Sequence, residues 1–184
     1  MTGPSRRRAR RNEPGVRFES SRPNRRRPRR GPGGGAEGRG GAAPAGSGAG
    51  HRLLEHVADC LIEAWGPDAA SCAGEALAAL VESFARVDAR APRERRPLRV
   101  AGTDAEDALA RLLEEVIFTV ETRGEIPVGF HLHRFSAGEV TGEMEVVALA
   151  AADLVGPSPK AVSYHGLEMR EGAEGWRCRV LVDQ

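Results

Sequence analysis

From Gly124 to its end this chain keeps an apolar period of two, whereas both of its helical stripes lie before that point, and this division limits the folds open to it. Before Gly124, apolar residues recur at helical spacing in two blocks. Ala73, Ala76, Leu77, Leu80, Val81, Phe84 and Val87 line one helix face, with Asp68 placed as the N-cap. Leu109, Leu112, Leu113, Val116, Ile117 and Val120 form the second stripe. Thr103-Asp104-Ala105-Glu106 reads as its capping box, and Gly124 stops it. After Gly124 the period is two. Val128 to Phe135, Glu139 to Ala151, Lys160 to Arg170 and Trp176 to Asp183 read as strands, with turns at Gly138 and over residues 171–175. Cys60 to Trp65, ending at Gly66-Pro67, and Leu98 to Ala101 supply two earlier strands. Strand, helix, strand, helix and four strands predict an α+β domain, with two helices packed on a mostly antiparallel sheet. In the last strand Trp176, Cys178, Val180 and Val182 face the core. Arg177, Arg179, Leu181 and Asp183 face the other way.

Charge separates the chain into two parts. Residues 1–50 hold 13 Arg and three Glu, a net +10, and leave 14 basic and 23 acidic residues for the remainder, a net −9. Val16 and Phe18 are the only larger apolar side chains of the first part after Met1. That is too little area to offset the entropy of ordering, so residues 1–50 are expected to form a disordered Arg/Gly/Pro-rich tail. Clustered Arg suits phosphate, and the lack of interleaved aromatics limits any nucleic-acid contact there to a non-specific one. Residues 51–184 are enough for one domain with an adequate core. Nothing in them is apolar for long enough to span a membrane. Cys60, Cys72 and Cys178 are odd in number, widely spaced and embedded in apolar patterns. They read as buried small hydrophobes in a reducing, cytoplasmic protein, not as zinc ligands or a disulfide framework.

No phosphate-binding loop, dinucleotide fingerprint, nucleophile elbow or zinc-protease motif occurs in the folded part. His131 and His133 share a strand face but have no third ligand nearby, and Ser163 and His165 are too close and unsupported to form a hydrolase pair. Asp59 and Asp183 are better candidates. Each lies at a strand end, where an exposed solvated carboxylate is the plain alternative. Together with a backbone or terminal oxygen of Gln184 they offer hard oxygen ligands, which favour Ca²⁺ or Mg²⁺ over zinc. Lys160 follows Pro157 and Pro159, which restrict its backbone. That is unusual for a merely solvating charge.

These residues carry a resemblance. His56-Val57-Ala58-Asp59-Cys60, Leu113-Glu114-Glu115-Val116-Ile117, Pro159-Lys160-Ala161-Val162-Ser163-Tyr164-His165-Gly166-Leu167 and Val180-Leu181-Val182-Asp183-Gln184 occur in the order and spacing of the archease family. The chain resembles that family over roughly residues 53–184. The resemblance implies an archease-like fold and a partner protein that is not itself an enzyme. It would activate an RtcB-type RNA ligase, promoting the ligase's guanylylation and turnover in tRNA splicing or RNA repair. It also implies a functional cluster of Asp59, Lys160 and Asp183, and a metal site, calcium in the usual assignment with Mg²⁺ as the alternative, at Asp59, Asp183 and Gln184. Val57 stands where the family has Thr, Cys60 where it has an aliphatic residue, and Pro159 where it has Val. Two other readings remain open at this stage: a metal-dependent chaperone or modulator of another protein, and a non-specific RNA binder acting through the tail.

Overall fold

The computed structural model describes residues 48–55, 59–136 and 138–184. The expected tail lies outside the described residues except for Gly48, Ala49 and Gly50, and so do His56, Val57 and Ala58 of the opening motif. Gly50 already belongs to a strand. In chain order the elements are β1 (Gly50–Glu55), β2 (Asp59–Gly66), α1 (Ala69–Phe84), β3 (Ala85–Val87), β4 (Glu94–Val100), α2 (Ala105–Phe118), a π-helical turn (Thr119–Arg123), β5 (Glu125–Ser136), β6 (Glu139–Ala148), a 3₁₀ turn (Leu149–Ala151), β7 (Ala152–Leu154), β8 (Ala161–Gly172) and β9 (Gly175–Asp183).

All strand pairings are antiparallel. The strands form a four-stranded sheet in the order β1-β2-β9-β8, a three-stranded sheet β4-β6-β5, and a small pair β3-β7. Helix α1 packs on β2, β1 and β9 of the first sheet and on β5 of the second, while α2 packs mainly on β8. Ile62, Leu77, Leu80, Phe84, Leu109, Leu112, Leu113 and Val180 are fully enclosed between these layers. Cys60, Cys72 and Cys178 are free and buried, as their apolar surroundings predict, and Cys72 Sγ donates to the Ala64 carbonyl at 3.5 Å.

Both helices start on an aspartate. Asp68 Oδ1 accepts from Ser71 N at 2.7 Å, as expected. In α2 the cap is Asp104, one residue later than the sequence pattern suggests. Its Oδ1 accepts from Asp107 N at 2.8 Å, and Asp107 Oδ2 accepts from Thr103 N at 2.9 Å. A carboxylate one position on outcompetes the Thr hydroxyl, and Glu106 is released for another role. Gly124 ends the π-helical turn at φ 61°, in the left-handed region.

Four other expectations need adjustment. Helix α1 stops at Phe84, and Val87 lies in β3. The strand expected from Glu139 to Ala151 ends at Ala148 in a 3₁₀ turn. Strand β4 begins at Glu94 and runs through Pro97, which a sheet tolerates because β4 is an edge strand. The β8–β9 hairpin pairs Gly172 with Gly175, a tighter turn than the sequence suggests.

Candidate functional site at the end of the four-stranded sheet

Strand β9 lies between β2 and β8, and its register assembles the site. Asp183 pairs with Asp59 on one side and with Ala161 on the other. Lys160, just before β8, donates its backbone N–H to the Asp183 carbonyl at 2.8 Å. Three residues distant in sequence therefore share one sheet end. Cys60, Ile62 and Ala64 of β2 and Cys178, Val180 and Val182 of β9 are buried. By alternation Asp59 and Asp183 belong to the opposite, outward face. Directly opposed residues place their Cβ atoms about 4.5–5.5 Å apart, where two like charges repel.

Among the described residues neither carboxylate has an ion-pair partner, and neither does the Lys160 ammonium. Gln184, the next residue, is moored to the helix layer. Its Nε2 donates to Ser83 Oγ at 2.8 Å, and that hydroxyl donates to the Leu80 carbonyl at 2.7 Å. Since its side-chain amide is engaged at α1, a contribution of Gln184 to the acid pair would come from main-chain oxygen.

The segment after Lys160 bulges. Between Ser163 and Glu168 the pairing with β9 is interrupted, and Gly166 within the interruption has φ 72°. The first turn of α2 holds this bulge. Tyr164 OH donates to Asp107 Oδ1 at 3.2 Å, and Met169 N donates to Glu106 Oε1 at 3.4 Å. The Thr103 backbone N–H, with Arg111 and Tyr164, holds the Asp107 carboxyl below the usual carboxylate range. Partial burial pushes the Tyr164 phenol up, and the nearby Glu114 and Asp107 add to the shift. The contact between Ser163 and His165 runs from the backbone N–H of His165 to Ser163 Oγ at 3.3 Å. It is a local turn and not a nucleophile–base pair. His131 Nε2 lies 3.7 Å from Glu145 Oε1, an ordinary cross-strand contact on the second sheet.

A cation fits the donor set at the sheet end. Two like charges held opposite each other without a counter-charge are destabilising unless something positive joins them, and the ligands are hard oxygens. Among the described residues no cluster of three or more Asp, Glu, His or Cys side chains could hold a metal ion. Side chains would therefore supply two carboxylates, and main-chain oxygen and water the rest.

One signal in the sequence outweighs its motif context. Lys160 is the single lysine of the chain, and every other residue among the 27 Lys+Arg is arginine. A composition that uses guanidinium everywhere else retains an ammonium at this position. The two cations differ in shape, hydration and hydrogen-bond geometry. The Asp107–Tyr164 tie left no such mark, because it joins residues 57 positions apart.

The fold and site define a small two-helix α+β protein with an outward-facing acid pair and a lysine at one sheet end. The chain belongs to the archease family: the Archease protein family (MTH1598/TM1083) matches residues 51–183. The chain is 37% identical over 147 residues to the "Probable protein archease" of Mycobacterium tuberculosis, covering 77% of this chain and 79% of that protein. It is 31% identical to the "Protein archease" of Aeropyrum pernix, covering 70% and 93%. Two solved structures share the fold at 21% identity. Methanobacterium thermoautotrophicum protein 1598 has a TM-score of 0.59 and covers 73% of this chain and 99% of that one. The Thermotoga maritima protein described as an archease and possible chaperone has a TM-score of 0.53 and covers 72% and 96%. Membership supports, at the general level, a non-catalytic role as activator of an RtcB-type RNA ligase.

Proposed function

We propose that this chain activates an RtcB-type RNA ligase by presenting Asp59, Asp183 and Lys160 to it, promoting ligase guanylylation and turnover in tRNA splicing or RNA repair. The observation that carries the proposal is the sheet end itself: two carboxylates opposed by strand register, with the chain's single lysine tied beside them by its backbone hydrogen bond to the Asp183 carbonyl. Asp183 and Lys160 are exposed and Asp59 is partly so. Small-molecule enzymes enclose their substrates in concave sites. A groove of about 510 Å³ among the described residues lies elsewhere, between α1 and β5. An open acidic row suits contact with a partner's reactive centre, where an activator needs only to stabilise the reactive state.

We assign a hard divalent cation to the same row, Ca²⁺ with Mg²⁺ as the alternative, held by Asp59, Asp183 and main-chain oxygen of Gln184. When bound, it supplies positive charge that offsets the carboxylate repulsion. Asp59 and Asp183 orient on the sheet, and Lys160 contributes an ammonium at a position set by its hydrogen bond to the Asp183 carbonyl. The Arg-rich first 50 residues contribute non-specific phosphate contact. Three free buried cysteines are compatible with a reducing cytoplasm.

The test is single-turnover guanylylation of an RtcB-type ligase from the same organism, with and without this chain. Addition of the wild type should accelerate the step, while Asp59→Asn and Asp183→Asn should remain folded and fail to do so. Acceleration by both variants equal to wild type would remove the acid pair from the function.

A further inference from the structure

The outward face that carries Asp59 and Asp183 continues along the sheet in an ordered pattern. The next outward row, two residues along, pairs Leu54 of β1 with Leu61 of β2, and Leu61 with Leu181 of β9. The row after that pairs Arg52 with Glu63 and Glu63 with Arg179. Arg52 Nε donates to Glu63 Oε2 at 2.5 Å, and Arg179 Nε lies 3.9 Å from Glu63 Oε1. Beyond it, the indole of Trp65 lies over Gly50, where an added Cβ would come within 2.7 Å of the ring. Acid pair, leucine row and ion-pair row therefore follow one another on one face. The helices bury the other face, and Leu54 on this one is 38% exposed, with Arg179 and Asp183 also exposed.

We propose that the leucine row is a docking strip for the RtcB-type ligase, one that seats an apolar ligase surface directly behind the acid pair. This rests on the proposed function. A partner that reaches Asp59 and Asp183 must approach the face from which those side chains project. Leu54, Leu61 and Leu181 stand about 7 Å behind them on that face, since alternate residues of a strand are spaced by twice its rise. Leu54 is exposed and Leu61 and Leu181 are half-buried, so the apolar area this row still shows to solvent is buried only when something covers it. The ion-pair row bounds the strip on the far side, as polar rims bound interface cores.

The occupant is the ligase and not a second copy of this chain, on grounds of area. The outward rows span roughly 14 Å across the four strands and about 20 Å along them, on the order of 300 Å². A stable pair of copies needs about 800 Å² from each. A strip this small is sufficient only as part of a larger footprint, such as one that already includes the acid pair.

The experiment measures ligase binding and guanylylation with the full-length chain as wild type, as Leu61→Thr/Leu181→Thr, and as Leu54→Glu. Threonine keeps strand preference, and Leu54 lies on an edge strand, so at least the second variant folds normally. Both variants should bind the ligase about tenfold or more weakly, as loss of a buried apolar anchor does. Guanylylation should recover at saturating activator, because the acid pair and Lys160 are intact. Wild-type affinity in folded Leu54→Glu and in the threonine variant would overturn the docking strip. A concentration-dependent dimer of the wild type that both variants abolish would also overturn it, in favour of a second copy. Failure of the wild type to bind or activate any RtcB-type ligase would overturn the function on which the strip rests, a result distinct from the other two.

Discussion

On the inward face of β2 and β9, Ile62, Ala64, Val180 and Val182 are almost wholly enclosed by the helix layer. On the outward face of the same two strands, Asp59, Leu61, Leu181 and Asp183 keep contact with solvent, and the two carboxylates face each other without a counter-charge among the described residues. The strands are the same and the register is the same; only the parity of the position differs. The inward set contributes packing. The outward set includes an arrangement of like charges that costs stability, and under the proposed function contact with the ligase is what retains it. Substitutions on the two faces should therefore separate cleanly into those that unfold the protein and those that silence it.

The largest stability effect belongs to the inward face. Ile62→Ala removes a fully buried side chain and should cost about 2–5 kcal/mol, measured by urea unfolding. Activation per folded molecule should be unchanged. A loss of activation in excess of the loss of folded protein would show that the two faces are coupled.

The acid pair should behave in the opposite way. At a Ca²⁺ concentration about 100-fold above its dissociation constant, the wild type should gain about 2.7 kcal/mol by linkage. Asp183→Asn should gain nothing from the ion. Without the ion the variant should be slightly more stable than wild type, by about 0.2–1 kcal/mol, because the like-charge pair is gone. Equal Ca²⁺ stabilisation of both proteins would remove the cation from this row.

The smallest effect lies at the far end of the first sheet. His51 of β1 bridges two carboxylates of α1, with Nδ1 2.7 Å from Glu75 and Nε2 3.3 Å from Glu82. Burial would lower its pKa, but the two carboxylates outweigh that and raise it above 6.5. The sign follows from linkage. The stabilisation is fully present below the unfolded value and is lost as pH rises through the raised folded value. Wild type should therefore lose a small increment of stability as pH rises from the unfolded value through the raised folded one, an increment that His51→Gln lacks, as read by denaturant midpoints. Guanylylation by the two proteins should not differ. An identical pH dependence of stability in both would show that the bridge carries no weight.

Much of this organisation is legible in the residues. Asp68, the two apolar helical stripes and the alternation of β9 place the helices and the inward face correctly, because each is a local pattern with a local physical cause. The family motifs pointed to Asp59, Lys160 and Asp183; strand register opposes Asp59 to Asp183, and a backbone hydrogen bond to the Asp183 carbonyl brings Lys160 to the same sheet end. Other elements left no local trace. Strand β1 contains adjacent leucines, Leu53 and Leu54, that point to opposite faces and hide its alternation behind the Arg-rich stretch. Strands β3 and β7 have three residues each and exist only because they pair with one another. The Asp104 cap depends on a choice between neighbouring side chains that only backbone geometry makes. The leucine row and the Asp107–Tyr164 tie join distant residues, and no spacing within a single segment reveals them.

The central claim is that Asp59, Asp183 and Lys160 at the sheet end act on the ligase, and Lys160 tests it most directly because the chain contains no other ammonium side chain. Wild type, Lys160→Ala and Lys160→Arg should be compared at saturating concentration in single-turnover guanylylation of an RtcB-type ligase, with fold checked by circular dichroism. A charge-assisted contact is worth about 1.5–3 kcal/mol, or about 10- to 150-fold in rate. Lys160→Ala should show a loss of that size with its fold intact, and Lys160→Arg should restore only part of the rate, since a guanidinium does not reproduce a compact ammonium. Equal rates for all three proteins would contradict the account.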